Sequence, residues 1–235
     1  MKLMKKFIGA AMLVGAAMAG TSGVANADPT VTANVAFTTD YVWRGLSQSD
    51  NDFAVQGGAD FSDGIFYAGT WASNVDFGTG GANAELDLYG GIKPTTGPVS
   101  WDFGVIGYFY PGSTDAGGDL DYYELKGAAS LPVYGPLSVT GTVYWTDDFG
   151  TFDENGLYGE VKGTYAVNDA LAINASYGSQ NVDNVGSYTN WRVDAAYTAH
   201  GIGWDLAYTD TSNGEEFGAD TYGGSKVILT ISKAL

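Results

Sequence analysis

From Val31 onward the chain alternates apolar and polar residues at period two. Val31, Ala33, Val35, Phe37, Thr39, Tyr41 and Trp43 share one face, while Thr32, Asn34, Ala36, Thr38, Asp40 and Arg44 fall on the other. That alternation is a strand signal and not a helical one. It recurs along the whole chain and predicts strands at 31–44, 52–61, 64–75, 84–93, 99–110, 119–130, 137–147, 156–167, 170–179, 187–199, 201–210 and 224–235. Strands of globular proteins commonly run about five or six residues, whereas a tilted strand crossing a bilayer needs about 9–11. Length therefore favours membrane-spanning strands.

Connection lengths alternate as well. After even-numbered strands the links are short: 62–63, 94–98, 131–136, 168–169 and residue 200. After odd-numbered strands most are longer, polar and acidic: 45–51, 76–83, 111–118, 148–155, 180–186 and 211–223. Tight turns on one side and long loops on the other are the mark of an antiparallel up-and-down barrel in an outer membrane. Tyr41, Trp43, Trp71, Tyr108, Tyr110, Tyr144, Trp145, Trp191 and Trp204 lie near strand ends, where interfacial aromatic girdles are expected. A secreted β-sandwich would share the period, but it seldom keeps strands this long and has no reason to alternate its loops by parity. The expected fold class is all-β, a transmembrane antiparallel barrel of about twelve strands occupying residues 28–235.

Residues 1–27 read as a secretory signal peptide. Lys2, Lys5 and Lys6 supply the positive start, the stretch 7–19 is apolar, and Ala25-Asn26-Ala27 is a small-residue cleavage pattern. Cleavage after Ala27 takes the formal net charge from −17 to −20. No later segment is apolar for the 18 or so residues a membrane helix needs. The acidic balance disfavours nucleic acid as a partner. With Cys 0, a disulfide scaffold and a thiolate metal site are excluded.

Candidate chemistry concentrates on the face opposite the apolar one. If that face lines a lumen, its acids are Asp40, Asp60, Glu85, Asp87, Asp102, Glu124, Glu160, Asp194 and Asp205. Its bases are Arg44, Lys93, Lys126, Lys162, Arg192 and Lys226. The pore-lining candidates are Asp40, Arg44, Asp60, Asp102, Glu124, Lys126, Glu160, Lys162, Arg192 and Asp194. Opposite charges at spacing two, Glu124–Lys126, Glu160–Lys162 and Arg192–Asp194, invite pairing across the lumen. A surplus of acids favours cations in a pore, although a salt-bridge network could equally plug a narrow barrel. Asp147, Asp148, Asp153 and Glu154, with Glu215, Glu216 and Asp220, form acidic loop clusters without the ligand spacing of a calcium loop. No metal and no cofactor are implied. The single histidine, His200, sits in a short turn with no neighbouring serine, so a hydrolase is disfavoured and the chain is not expected to be an enzyme.

The runs FTTDYVWRGLSQS at 37–49, GIFYAGTWASNVDF at 64–77, AELDLYGGI at 84–92 and DYYELKG at 121–127 resemble the TorF family of small proteobacterial porins. The resemblance is specific over about residues 30–130 and looser beyond. It implies a porin-like channel of the Gram-negative outer membrane for passive diffusion of small solutes or ions, and carries no defined substrate with it. The lumen charges add a mild cation preference. The alternative is a non-conducting structural or interaction barrel with acidic surface loops. Expected partners are outer-membrane lipid and lipopolysaccharide, small solutes, and the barrel-assembly machinery. That machinery commonly reads an aromatic final residue, where this chain has Leu235.

Overall fold

The structure, a computed structural model, describes residues 28–78, 81–113 and 120–235; the expected signal peptide lies outside the described residues. Twelve strands of nine to fourteen residues form the body. They are β1 (Thr30–Thr38), β2 (Ala54–Asp63), β3 (Phe66–Asn74), β4 (Ala84–Ile92), β5 (Val99–Phe109) and β6 (Tyr122–Tyr134), then β7 (Leu137–Thr146), β8 (Gly156–Ala166), β9 (Leu171–Val182), β10 (Gly186–Ala199), β11 (Ile202–Ser212) and β12 (Lys226–Ala234). Each pairs antiparallel with its sequence neighbours, and β1 pairs with β12 through Val35 opposite Lys233 and Phe37 opposite Ile231. Closure leaves no strand without a neighbour on either side, so the sheet has no free edge strand.

The alternation sorts side chains inside out relative to a soluble domain. Outward residues are apolar and open: Val31 is 75% exposed, Val55 64%, Val161 59% and Val227 68%. Inward residues are polar and packed, with Gln180 at 0%, Glu124 at 1% and Thr209 at 2%. An apolar band facing outward around a polar interior is the surface of a barrel solvated by lipid. Exposed aromatics gather at both ends of that band: Phe61, Phe66, Tyr134, Tyr165, Tyr197 and Trp204 at the turn end, and Phe37, Phe53, Phe109, Tyr123 and Trp145 at the loop end.

Several boundaries and faces differ from the sequence expectation. The first strand ends at Thr38 and not at residue 44. Its last rung is the bond from Thr39 N to Leu229 O, after which 39–53 turns into the barrel. The first tight turn falls at 64–65, because Ser62 and Asp63 still pair with Tyr67 and Phe66. Most of 131–136 is strand: β6 runs to Tyr134, tolerating Pro132 at a register irregularity opposite β7. Six of the nine aromatics assigned to the girdles, Tyr41, Trp43, Trp71, Tyr108, Tyr110 and Tyr144, face the interior, and only Trp145, Trp191 and Trp204 face outward.

Candidate functional site: a hairpin locked across the lumen

The segment 39–53 is too long for a simple strand connection, and it is not left on the surface. Val42–Trp43 and Leu46–Ser47 form a two-residue-turn hairpin, with Val42 opposite Ser47 and Trp43 opposite Leu46. The turn residues Arg44 and Gly45 have φ values of 47° and 84°. Two positive φ values in a two-residue loop are the hairpin turn whose twist matches its strands. Arginine has no intrinsic liking for that region, so contacts at the tip must hold it there.

Those contacts come from the far wall. Arg44 donates from Nη1 to Glu124 Oε1 at 2.8 Å and from Nη2 to Glu124 Oε2 at 2.6 Å, a bidentate fork. Nη1 also donates to Gln180 Oε1 at 2.9 Å. The guanidinium carbon lies 4.1 Å from the ring centre of Trp43, 4.7 Å from that of Tyr144 and 4.3 Å from that of Tyr158. Burial opposes charge on Arg44, but Glu124 more than offsets it and holds the guanidinium firmly protonated. Tyr108 donates to the same carboxylate at 3.0 Å. Tyr158 can reach across because Gly178 on β9 has no side chain: a Cβ there would collide with the Tyr158 hydroxyl. Gly45 is pinned as tightly, since Thr211 Oγ1 donates to its carbonyl at 2.7 Å and a Cβ would strike Thr211 and Asn190.

The rest of the loop is tied to the near wall. Asp40 accepts from Ser47 Oγ at 2.6 Å and Ser49 Oγ at 3.2 Å, and pairs with Lys226 Nζ at 3.2 Å. Tyr41 donates to Glu85 Oε1 at 2.9 Å. Burial, then the nearby Glu85 and Asp87 carboxylates, push the Tyr41 hydroxyl well above its ordinary range, so it stays a donor. Above the tip, Phe149 stacks on Trp43 and continues through Phe152 to Phe217 and Tyr188. Hairpin and aromatic cap together fill the loop end of the lumen.

The turn half of the lumen is polar and more open. Lys126 donates to Asp102 Oδ2 at 2.8 Å, and Tyr67 donates to its other oxygen at 2.7 Å. Arg192 bridges Asp194, at 3.0 Å, and Asp205, while Asn174 donates to Asp194 at 2.6 Å. Asp60 accepts from Tyr89 at 2.6 Å, and Glu160 from Tyr158 at 3.3 Å. Lys162 also sits on the inward face of β8, two residues from Glu160. Of the three spacing-two pairs, only Arg192–Asp194 forms; Glu124 meets Arg44 and Lys126 meets Asp102 instead. Asp40 and Arg44 reach the interior from the hairpin loop and not from a strand.

The cage around Arg44 is absent from the sequence reading. Parity does mark both tyrosines as inward: Tyr144 lies between Val143 and Trp145, and Tyr158 follows Leu157 in step with Glu160 and Lys162. His200 is exposed in the tight turn before Gly201, with φ 53°.

Fold and interior together define a porin-type antiparallel barrel whose loop end is closed from within by its first long loop. A family model described as "Bacterial protein of unknown function (Gcw_chp)" matches residues 22–235, and the chain belongs to that family. No curated protein matches the sequence. Among solved structures, a KdgM porin in complex with disordered oligogalacturonate superposes with a TM-score of 0.59 at 6% identity, covering 87% of this chain and 98% of that one. The NanC porin gives 0.55 at 10% identity with the same coverage, 87% and 98%. An outer membrane channel from Pseudomonas putida F1 gives 0.52 at 14% identity, covering 92% and 99%. At these identities the likeness establishes the fold.

Proposed function

We propose that this chain is a porin-like channel of the Gram-negative outer membrane through which small solutes or ions diffuse, with a mild preference for cations. The observation that carries the reading is the inverted barrel: a spanning-length apolar exterior around an interior of charged and hydroxyl groups. The TorF resemblance and the porin likeness of the fold support it. Preference for cations rests on the balance of the lumen charges. Arg44, Lys126, Arg192 and Lys226 are each paired with carboxylates, and with Lys93 and Lys162 also facing the lumen the six bases are outnumbered by the nine acids of that face. The interior field is therefore negative. Outer-membrane lipid and lipopolysaccharide would surround the barrel, residues 1–27 would direct export, and the assembly machinery would insert it.

One observation favours the second reading, a non-conducting barrel. The hairpin closes the loop end, with Glu124 and Gln180 sealed beneath it. Refolded protein in planar bilayers under a KCl gradient separates the two. Channel events with a cation-selective reversal potential support the first. Silence supports the second, and anion selectivity overturns the charge argument.

A further inference from the structure

The surroundings of Arg44 have the composition of a receptor for a guanidinium group. A carboxylate receives the planar fork, an amide oxygen takes a further N–H, and aromatic faces lie within cation–π range. Four of these groups, Glu124, Gln180, Tyr144 and Tyr158, belong to the barrel wall and would remain if the hairpin withdrew. Only Trp43 travels with it. With the hairpin docked, Glu124 and Gln180 are almost wholly buried, and because both sit on strands of the wall their positions are set without it. Gly178, kept free of a side chain against Tyr158, maintains one wall of it.

We propose that this wall cage is a binding site for solutes bearing a guanidinium group, and that Arg44 is its built-in competitor. This rests on the channel reading: the hairpin closes the lumen by occupying the site with its own side chain, and a guanidinium solute arriving in the lumen displaces it. The specificity follows from geometry. An ammonium is a compact charge that can neither fork onto Glu124 nor lie flat between the tyrosines. Being tethered, Arg44 holds an effective concentration of the order of millimolar or more, so the free solute must compete against that.

The test is binding in detergent micelles, which requires no current. Methylguanidinium and methylammonium are titrated by calorimetry into wild type, Arg44→Ala and Arg44→Ala/Glu124→Gln. Methylguanidinium is expected to bind Arg44→Ala at least tenfold tighter than methylammonium, and at least tenfold tighter than it binds wild type. Glu124→Gln in that background should remove at least tenfold. Equal binding of the two cations, or indifference to the Arg44 substitution, overturns the proposal. Should Arg44→Ala fail to fold, wild type decides alone. Methylguanidinium must then accelerate hydrogen exchange in 39–53 where methylammonium at equal concentration does not, and equal effects overturn the proposal. A barrel that binds methylguanidinium in this way yet never conducts would defeat the channel reading while leaving the cage intact. A conducting barrel without the selectivity would do the reverse.

Discussion

Replacing Arg44 with alanine removes the one side chain that ties the hairpin tip to the far wall. Three losses add. The bidentate fork to Glu124 disappears, and hydrogen bonds to charged groups contribute roughly 1.5–3 kcal/mol. The stacking on Trp43, Tyr144 and Tyr158 goes as well, worth about 0.5–2 kcal/mol for each desolvated contact. Glu124, 1% exposed, is then left as a buried carboxylate with Tyr108 as its remaining donor. These terms overlap, and breaking a buried pair by removing one partner typically costs about 3–5 kcal/mol. The barrel need not bear that cost, because its ladder is closed without the hairpin. Water can relieve Glu124 if the hairpin swings out, so the loss falls on docking as a local opening. Hydrogen exchange by mass spectrometry in micelles should therefore show 39–53 exchanging faster by about two to three and a half orders of magnitude, with β5 through β11 unchanged. Unchanged protection in 39–53 would mean that Arg44 does not hold the hairpin. Faster exchange throughout the barrel would mean that the hairpin is part of the core and not a docked element.

Gly45→Ala forces a Cβ into Thr211 and Asn190 at a positive φ, so it should undock the hairpin much as Arg44→Ala does, by about 1–3 kcal/mol, read as protease cleavage within 39–53 of the native barrel. Tyr41→Phe leaves Glu85, 2% exposed, without its hairpin donor and should weaken docking by roughly 1–3 kcal/mol, seen as intermediate exchange in the same segment. Leu88 lies mid-strand on the outward face at 50% exposure; Leu88→Arg should destabilise the barrel by roughly 2–4 kcal/mol in lipid vesicles, measured by urea unfolding, whereas a water-facing position would tolerate it. Asp60→Asn removes a lumen carboxylate held by Tyr89 and should move the reversal potential in a KCl gradient towards zero.

Strand number and face were legible because one side of every strand meets an apolar surrounding and the other a polar one, which writes period two into the residues. The first boundary was hidden by the same signal. Thr39, Tyr41 and Trp43 keep the alternation past Thr38, but there it reflects a hairpin packing between the lumen walls and not a strand between lumen and lipid. The break is carried by Arg44 and Gly45, and Arg-Gly is a weaker turn signal than Asn-Gly or Asp-Gly. The aromatics misled for a related reason: a tyrosine near a strand end fits an interface or a lumen equally, and only parity decides. Tyr108 and Tyr144 have inward parity beside outward Phe109 and Trp145. Charge pairing was only partly legible: Arg192 spans to Asp194 two positions on, but the other spacing-two charges found closer partners. Residues i and i+2 stand about 6.6 Å apart along a strand, whereas groups across a ladder or across the lumen can close to contact. Glu124 accordingly takes Arg44, eighty positions away, and leaves Lys126 to Asp102.

The depth of the Arg44 latch constrains how it can open. A docking preference of about 3–5 kcal/mol is overcome only by a ligand that binds the open state better by the same amount. One solute group filling the vacated cage stabilises the open state by RT ln(1 + [L]/Kd), so it must stand about two to three and a half orders of magnitude above its Kd. A single guanidinium displaces Arg44 only at that excess, so methylguanidinium must be supplied at such concentrations to open wild type. A solute with a second cationic group has a further anchor in the same end of the lumen, because withdrawal of the hairpin also takes the Tyr41 donor from Glu85. Each added contact made only in the open state multiplies the shift. The latch thus sorts solutes by the number and spacing of their charges as well as by size: Glu85 and Glu124, uncovered together by one movement, are the pair whose separation sets that spacing.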